Sequence, residues 1–282
     1  MKHLIKTVAM VLVSALTAII LVSFAPVVEV ETPTEIIPVT ETVELNLENG
    51  CEKYTDVEAL VGYLNVPNTT IDDAVVQAKD NNFFLRRDKY GKYSYSGSYF
   101  ADYKCDMNNL SKSTIIYGHN LMDETRYFGQ LMKYKSLDFY KSTPVITFDI
   151  KSKACRWKVF SVFYANTVKT DSDYFYYLNA NFGSDEEFME FVNQVQFRSL
   201  INTTVDVNKD DKVLFLSTCN YDINKYCRFV VAARLVRDGE TLDVDVNNAQ
   251  LNPCPLYPDP WYKKYGGTKP QLPETTLATT KK

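Results

Sequence analysis

Short runs of β-branched and aromatic residues, each bounded by turn-forming residues, limit what this chain can fold into. The runs cover residues 145–150, 157–164, 213–217 and 229–235. Such residues fit a pleated, half-buried surface, and turn formers such as Lys209-Asp210-Asp211 lie beside them. With 20 Tyr and 16 Phe against only 10 Gly, the composition also suits a β-rich core. The sequence therefore predicts a mostly β domain, a barrel or a sandwich, decorated by helices.

One segment has the pattern of an α-helix instead. Ser184 and Glu187 form a capping box, and acidic residues occupy the first turn, where the helix dipole favours them. Apolar residues then recur with the helical period, at Phe188, Phe191, Val192 and Val195. A shorter amphipathic stretch at residues 127–132 indicates a second short helix.

The N-terminal segment is predicted to lie outside the folded domain. An uncharged stretch from Thr7 to Val28 follows two lysines and is long enough to cross a membrane as a helix. Basic residues before it and acidic residues after it predict a cytoplasmic N-terminus. We therefore expect residues 1–28 to be an uncleaved anchor of a single-pass cell-membrane protein whose folded domain is extracellular. A cleaved signal peptide is the alternative.

The remaining chain divides by composition into three parts. Residues 29–53 are rich in Glu, Thr, Val and Pro and predict an extended linker. Residues 54–246 are dense in apolar and aromatic side chains and predict one folded domain. Residues 247–282 are rich in Pro and Thr, a composition typical of a disordered tail.

Several function classes are disfavoured by composition. A formal net charge of −4 gives no electrostatic case for binding nucleic acid. The sequence has neither a glycine-rich phosphate loop nor a Cys/His cluster with metal-ligand spacing. We therefore predict neither a cofactor nor a metal site.

A cysteine, a histidine and an arginine carry the strongest functional signal. Cys219 ends one apolar run, and Arg228 follows nine residues later, at the start of the next. The chain has two histidines, and His3 lies in the basic N-terminus, so His119 is the one available to exported chemistry. A thiol nucleophile, an imidazole proton carrier and a guanidinium that stabilises an oxyanion are the groups that acyl transfer requires.

Strand geometry selects Arg228 over Arg234. If the two apolar runs pair as neighbouring strands, the loop between them returns Arg228 beside Cys219. Arg234 would face the same side of the strand as Arg228, but it lies about 20 Å further along an extended strand. His119 follows an apolar strand broken by Gly118, a place where a side chain can face a cleft while its backbone stays held.

These residues and several neighbouring motifs resemble those of the class B sortases, which are Gram-positive surface transpeptidases. The motifs are Ser217-Thr218-Cys219 with Arg228-Phe229-Val230-Val231, Ile116-Tyr117-Gly118-His119-Asn120, and three earlier segments at residues 66–72, 75–77 and 80–85. The helix predicted from Ser184 matches the insertion that class B members carry before the cysteine strand. The chain departs from the family at Asp73-Ala74, where Tyr-Pro is common, and in its proline-rich C-terminal tail.

The resemblance implies a fold and a reaction. The fold is an eight-stranded sortase-like barrel with an N-terminal helical region and a helix before the cysteine strand. Cys219 would attack the threonyl carbonyl of a C-terminal sorting signal on a secreted surface protein, forming a thioacyl-enzyme. An amine of a peptidoglycan precursor or of a pilin would then accept the acyl group. A neutral His119 and a neutral thiol would be the resting state.

The resemblance also implies substrate-contact positions. Two residues fall on the wall of the peptide groove, three flank the catalytic pair, and two precede the helical insertion. In that order they are Asn81 and Leu85; Tyr117, Ser217 and Asn220; and Thr170 and Tyr174.

Other interpretations remain open. The exported part has six cysteines, so Cys219 could belong to a disulfide, with Cys227 as one possible partner. The chain could instead be a cell-wall cysteine peptidase that uses water as acceptor, or a non-catalytic surface binding module. In the tail, residues 272–276 resemble a sorting signal, but Thr276 stands where glycine is expected, which favours coincidence.

Overall fold

The computed structural model describes residues 47–121, 127–219 and 222–272. Within these ranges the strands are β1 (Leu60–Asn65), β2 (Asp72–Val76), β3 (Tyr99–Ala101), β4 (Ser113–Tyr117), β5 (Val145–Ile150), β6 (Arg156–Asn166), β7 (Ile201–Asn202), β8 (Val213–Cys219), β9 (Cys227–Leu235) and β10 (Gln250–Leu251). The helices are α1 (Leu137–Ser142), α2 (Asp185–Phe197) and α3 (Asp259–Tyr265), with 3₁₀ helices at Gly50–Tyr54, Phe83–Arg86 and Tyr127–Lys135.

Eight of these strands form a closed barrel in the order β1-β2-β3-β4-β8-β9-β6-β5, and β1 pairs with β5 to close it. Six of the eight contacts in this ring are antiparallel, while β2 with β3 and β4 with β8 are parallel. The small strands β7 and β10 pair with each other outside the barrel. The predicted mostly β class and the eight-stranded barrel are both confirmed.

The barrel wall is covered on both faces along β6, which explains why that strand has an almost continuous apolar sequence rather than strict alternation. Every residue of β6 after Arg156 is buried. Trp157 packs against Phe148 of β5, whereas Phe163 shares the face of Ser161 and packs against Phe175 and Tyr177 of the segment before α2. Outside, α2 lies against the strand, and the hydroxyl of Ser161 donates to the carbonyl of Val195 at 3.0 Å.

Helix α2 forms where the sequence predicts it. Its N-cap Ser184 accepts from the amide of Glu187 at 3.2 Å, and the Glu187 carboxylate accepts from the amide of Gly183 at 2.8 Å. This confirms the helix before the cysteine strand. The predicted stretch at residues 127–132 is also helical, but it is a 3₁₀ helix, and it begins with Tyr127 at a φ of 49°.

Part of the C-terminal segment is structured, although its composition is typical of disorder. Strand β10 and helix α3 lie in it, Leu256 is buried, and the Tyr257 and Trp261 rings stack 3.8 Å apart. The side-chain amide of Asn252 donates to the carbonyl of Ser199 at 2.7 Å. A proline-rich segment cannot build its own core, but it can dock aromatic rings onto a surface that already exists. Residues 273–282, with most of the sorting-like motif, lie outside the described residues.

The placement as a single-pass membrane protein is corrected here. In the part of the chain that the structure describes, no helix is long and apolar enough to cross a membrane. A spanning helix needs about 20 apolar residues, whereas α2, the longest helix described, has 13 residues and a charged face. The predicted anchor at residues 1–28 lies outside the described residues.

Candidate active site

Three neighbouring strands bring the backbones of the three candidate catalytic residues to one end of the barrel. Strands β8 and β9 are antiparallel, and Cys219 lies directly opposite Arg228. Strands β4 and β8 are parallel, with Tyr117 opposite Ser217. His119 follows Tyr117 by two residues, and Cys219 follows Ser217 by two, so their backbones lie at the same level at this end of the barrel.

The ends of β4 and β8 are held together beyond the last strand pair. The amide of Gly118 donates to the carbonyl of Ser217 at 3.3 Å. The buried hydroxyl of Thr218 donates to the carbonyl of Gly118 at 2.9 Å. A side chain at Gly118 would overlap the Phe128 ring, because an added Cβ would lie 2.6 Å from it. Glycine is therefore required where the chain turns from β4 towards His119.

The histidine ring is fixed by a backbone contact that the sequence did not reveal. Nε2 of His119 lies 2.7 Å from the carbonyl oxygen of Leu85. Because a carbonyl can only accept, Nε2 carries a proton, and Nδ1 is the nitrogen that can accept one in the neutral ring. Burial lowers the pKa of His119 below 6.5, the nearby charge of Arg86 lowers it further, and the bond to Leu85 opposes both effects. His119 is therefore neutral at pH 7.

Arg228 is held at its tip by the backbone next to it. Its Nη1 donates to the carbonyls of Lys225 and Cys227, at 3.1 and 3.0 Å. A guanidinium has five N–H donors, so Nε and Nη2 remain available, with no partner among the residues that the structure describes. Arg234, in contrast, lies opposite Val213 at the far end of the strand and is buried against Glu240.

A buried carboxylate links two of the predicted substrate-contact positions. Asp102 is 4% exposed and accepts from the hydroxyl of Tyr117 at 2.7 Å and from the side-chain amide of Asn81 at 2.9 Å. Burial and the charge of Asp102 raise the pKa of Tyr117 well above its ordinary value. The phenol therefore stays protonated. Sequence reasoning missed Asp102, whose only signal is an acid directly after the buried strand β3.

Ser217 also has a buried partner that the sequence did not indicate. Its hydroxyl oxygen lies 2.7 Å from the hydroxyl of Tyr177. Both side chains are buried, and Tyr177 comes from the segment between β6 and α2. This contact attaches that segment to the cysteine strand.

The two positions predicted before the helical insertion lie on the segment between β6 and α2. Tyr174 lines a groove of about 1400 Å³ between the β6–α2 segment, α2 and the C-terminal segment. Thr170 is exposed on the same segment and does not line that groove. The groove reaches Ala165, which pairs with Arg228 across the sheet. Asn220 lies outside the described residues.

Five cysteines in the described part of the chain are free thiols: Cys51, Cys105, Cys155, Cys227 and Cys254. Burial raises the pKa of the Cys227 thiol to about 11. Because successive side chains of a strand point to opposite faces, Cys227 faces away from the side on which Arg228 lies opposite Cys219. The buried thiols are poor nucleophiles at neutral pH, since the thiolate is the reactive form.

Comparisons with known proteins agree with this architecture. A family model described as the sortase domain matches residues 64–236, more than half of the chain. Sortase B of Staphylococcus aureus is 31% identical over 179 residues, which cover 63% of this chain and 70% of that protein. Sortase B of Listeria monocytogenes is 31% identical over 178 residues, with the same coverage of 63% and 70%. A solved Staphylococcus aureus sortase B–substrate complex has a TM-score of 0.59 and 28% identity, covering 66% of this chain and 84% of that one.

Proposed function

This chain belongs to the class B sortases, which are cysteine transpeptidases, and from that premise we propose its substrate and the roles of its residues. The substrate is the C-terminal sorting signal of a surface protein, which the enzyme cleaves at the threonyl peptide bond. The acyl group passes to an amine of the cell wall or of a pilin. The observation that carries the proposal is the strand order β4-β8-β9, which brings His119, Cys219 and Arg228 to the same end of adjacent strands.

In the first half of the reaction, the sulfur of Cys219 bonds to the threonyl carbonyl carbon. The thiol proton moves to Nδ1 of His119, the ring nitrogen that is not engaged by Leu85. Nε and Nη2 of Arg228 donate to the oxyanion as it forms. The carbon–nitrogen bond then breaks, the leaving amine takes the proton from His119, and a thioester remains.

In the second half, the acceptor amine attacks the thioester carbonyl and loses a proton to His119. The carbon–sulfur bond breaks, and the Cys219 sulfur recovers its proton. A neutral histidine at rest, which the lowered pKa of His119 favours, is suited to this sequence because it accepts a proton before it donates one.

Four described residues are proposed to position the peptide. Tyr117 and Asn81 share the buried Asp102, which pre-organises both side chains beside the cysteine strand. Ser217 is held by Tyr177. Leu85, whose carbonyl binds His119, would join the peptide-binding wall to the catalytic histidine. Thr170, Tyr174 and Asn220 remain predictions.

Mass spectrometry of the intact protein with a library of sorting-type peptides tests the proposal. We expect a thioacyl adduct whose mass equals the peptide portion up to threonine, and its conversion to an amide when an amine is added. Cys219→Ala is expected to abolish the adduct. Cys254→Ala is the matched control, because Cys254 is a free and exposed thiol outside the matched domain, and it is expected to retain full adduct formation.

Two outcomes would contradict the proposal in different ways. If the adduct forms but amines never compete with water, the protein is a cysteine peptidase and not a transpeptidase. If wild type and Cys219→Ala are equally inert with every peptide, the chain is a binding module. Replacing Arg228 by Lys is expected to lower kcat by about 100-fold, because an ammonium cannot present the planar fork of N–H donors that a guanidinium offers to the oxyanion.

A further inference from the structure

The loop between β8 and β9 connects the proposed nucleophile to the proposed oxyanion donor. Cys219 is the last residue of β8 and lies directly opposite Arg228 near the start of β9, so the position of the loop bears on both residues. The later part of the loop is tied to the barrel. The backbone amide and the hydroxyl of Thr167 both donate to the carbonyl of Tyr226, at 3.2 and 2.6 Å. The oxygen of the Asn224 side chain accepts from the amide of Tyr226 at 2.8 Å.

The earlier part of the loop is held at Asp222 by segments that are distant in sequence. The hydroxyl of Tyr265 donates to the Asp222 carbonyl at 2.8 Å, and the ammonium of Lys264 donates to the same oxygen. On the other side, the ammonium of Lys135 lies 3.1 Å from the Asp222 carboxylate. Lys135 ends the 3₁₀ helix that follows the His119 segment. Asp222 therefore connects that helix, the loop and α3.

Helix α3 is also hydrogen-bonded to the segment between β6 and α2. The amide of Asp259, at its first residue, donates to the carboxylate of Asp173 in the β6–α2 segment at 2.6 Å. Tyr257 stacks on Trp261 with the rings 5° from parallel. Asp173 also accepts from the side-chain amide of Asn166, at 2.9 Å, where β6 ends. The helix thus bridges the β6–α2 segment and the β8–β9 loop.

The helix adds little to the core. None of its seven residues is buried, and a helix of this length is not stable alone in water. It also lies beyond residue 236, where the match to the family ends. What α3 does contribute is two hydrogen-bond donors on one carbonyl in the loop after Cys219.

We propose that α3 is a brace for the β8–β9 loop and that Tyr265 and Lys264 are positioning residues for transpeptidation. They act through Asp222, which they hold so that Cys219 and Arg228 meet correctly in the transition state. This inference rests on the proposed function for its catalytic consequence, whereas the bracing itself is a mechanical property of the loop.

The experiment compares three full-length variants with wild type. The double variant Tyr265→Phe, Lys264→Gln removes both donors and keeps the aromatic ring. Lys263→Gln is the matched control, because Lys263 is an exposed lysine of the same helix with no ion pair to any residue that the structure describes. Tyr265→Phe with Lys264→Arg restores one cationic donor. Hydrogen exchange of the peptide spanning residues 220–227, the alkylation rate of Cys219 by iodoacetamide, and peptide transfer are measured for each.

We expect the double variant to exchange several-fold faster in residues 220–227 and to lose about tenfold in kcat with KM little changed. The arginine variant is expected to recover part of kcat, and Lys263→Gln to match wild type in every assay. Melting temperatures should agree within about 2 °C, since no buried surface is lost.

Unchanged exchange in the double variant would overturn the brace, whatever the activity. Faster exchange with wild-type kcat, or an equal loss in Lys263→Gln, would overturn the positioning role. If wild type transfers no peptide at all, the proposed function fails instead. Hydrogen exchange then decides the brace by itself: faster exchange of residues 220–227 in the double variant supports it, and unchanged exchange refutes it.

Discussion

Replacing Thr218 by Val tests whether one buried hydrogen bond holds the histidine segment to the cysteine strand. The Thr218 side chain is 2% exposed, and its hydroxyl donates to the carbonyl of Gly118 at 2.9 Å. Valine keeps the shape of threonine but cannot donate. The Gly118 carbonyl would then be buried without that donor, which costs about 1–2 kcal/mol, or roughly tenfold in the unfolding equilibrium constant.

The chain offers a matched control in Thr114, on the same pair of strands. Its hydroxyl is fully buried, and no hydrogen-bond partner is seen for it among the described residues. Thr114→Val removes an unsatisfied polar group, so it is expected to leave stability unchanged or to raise it by about 1 kcal/mol. The two substitutions are chemically identical, yet only Thr218→Val is predicted to destabilise the protein.

Urea denaturation at pH 7 measures both effects. We expect the midpoint for Thr218→Val to fall by roughly 0.5–1 M with an unchanged slope, while Thr114→Val stays at or above wild type. Peptide transfer by Thr218→Val should also slow, because His119 follows the carbonyl that has lost its donor. Equal midpoints for the two variants would refute the reasoning, and a loss of stability without loss of activity would limit the bond to a structural role.

Three further predictions each concern the surroundings of one residue. The pKa of His119, measured from its ring protons by NMR, should lie below 6.5. The free energy of unfolding should therefore fall as pH drops below 6.5, because the unfolded chain then binds the proton more readily than the folded one. A midpoint at or above 6.5 would contradict the burial argument. Glu240→Gln should lower the free energy of unfolding in urea by about 2–3 kcal/mol, because Arg234 is 1% exposed and would lose the carboxylate that it contacts at 2.6 and 2.8 Å. Only the more exposed carboxylate of Asp206, at 3.7 Å, would remain near its charge. A loss under 0.5 kcal/mol would show that solvent already screens the pair. Gly118→Ala should lower both stability and kcat, because its Cβ would lie 2.6 Å from the Phe128 ring, and wild-type kinetics would show that His119 tolerates the shift.

Much of the fold follows from local patterns in the sequence. The β-rich runs appear as β5, β6, β8 and β9, and the capping box starts α2 at the residue after Ser184. The position of Arg228 opposite Cys219 also follows, because the parity of two strands joined by a short loop leaves few registers. The membrane placement was wrong for the described part of the chain, where no spanning helix occurs.

The site depends on contacts that no local pattern reports. Asp102 bonds to Asn81, 21 residues away, and the Leu85 carbonyl bonds to His119, 34 residues away. Tyr177 reaches Ser217 across 40 residues. Each of these partners looks ordinary in the sequence, since an acid, a leucine or a tyrosine beside a strand is usually solvated or part of the core.

The C-terminal segment shows most clearly the difference between what local sequence patterns predict and what long-range contacts decide. Its proline and threonine content correctly indicates that it cannot form a core, yet the contact of Tyr265 with Asp222, 43 residues earlier, places it on the loop after Cys219. The sequence by itself determined the strands, the inserted helix and the candidate nucleophile, because periodicity and capping are local properties of the chain. Only the tertiary structure decided which distant groups orient His119 and brace the cysteine loop, because closure of the barrel brings together residues whose separation in sequence carries no periodic signal.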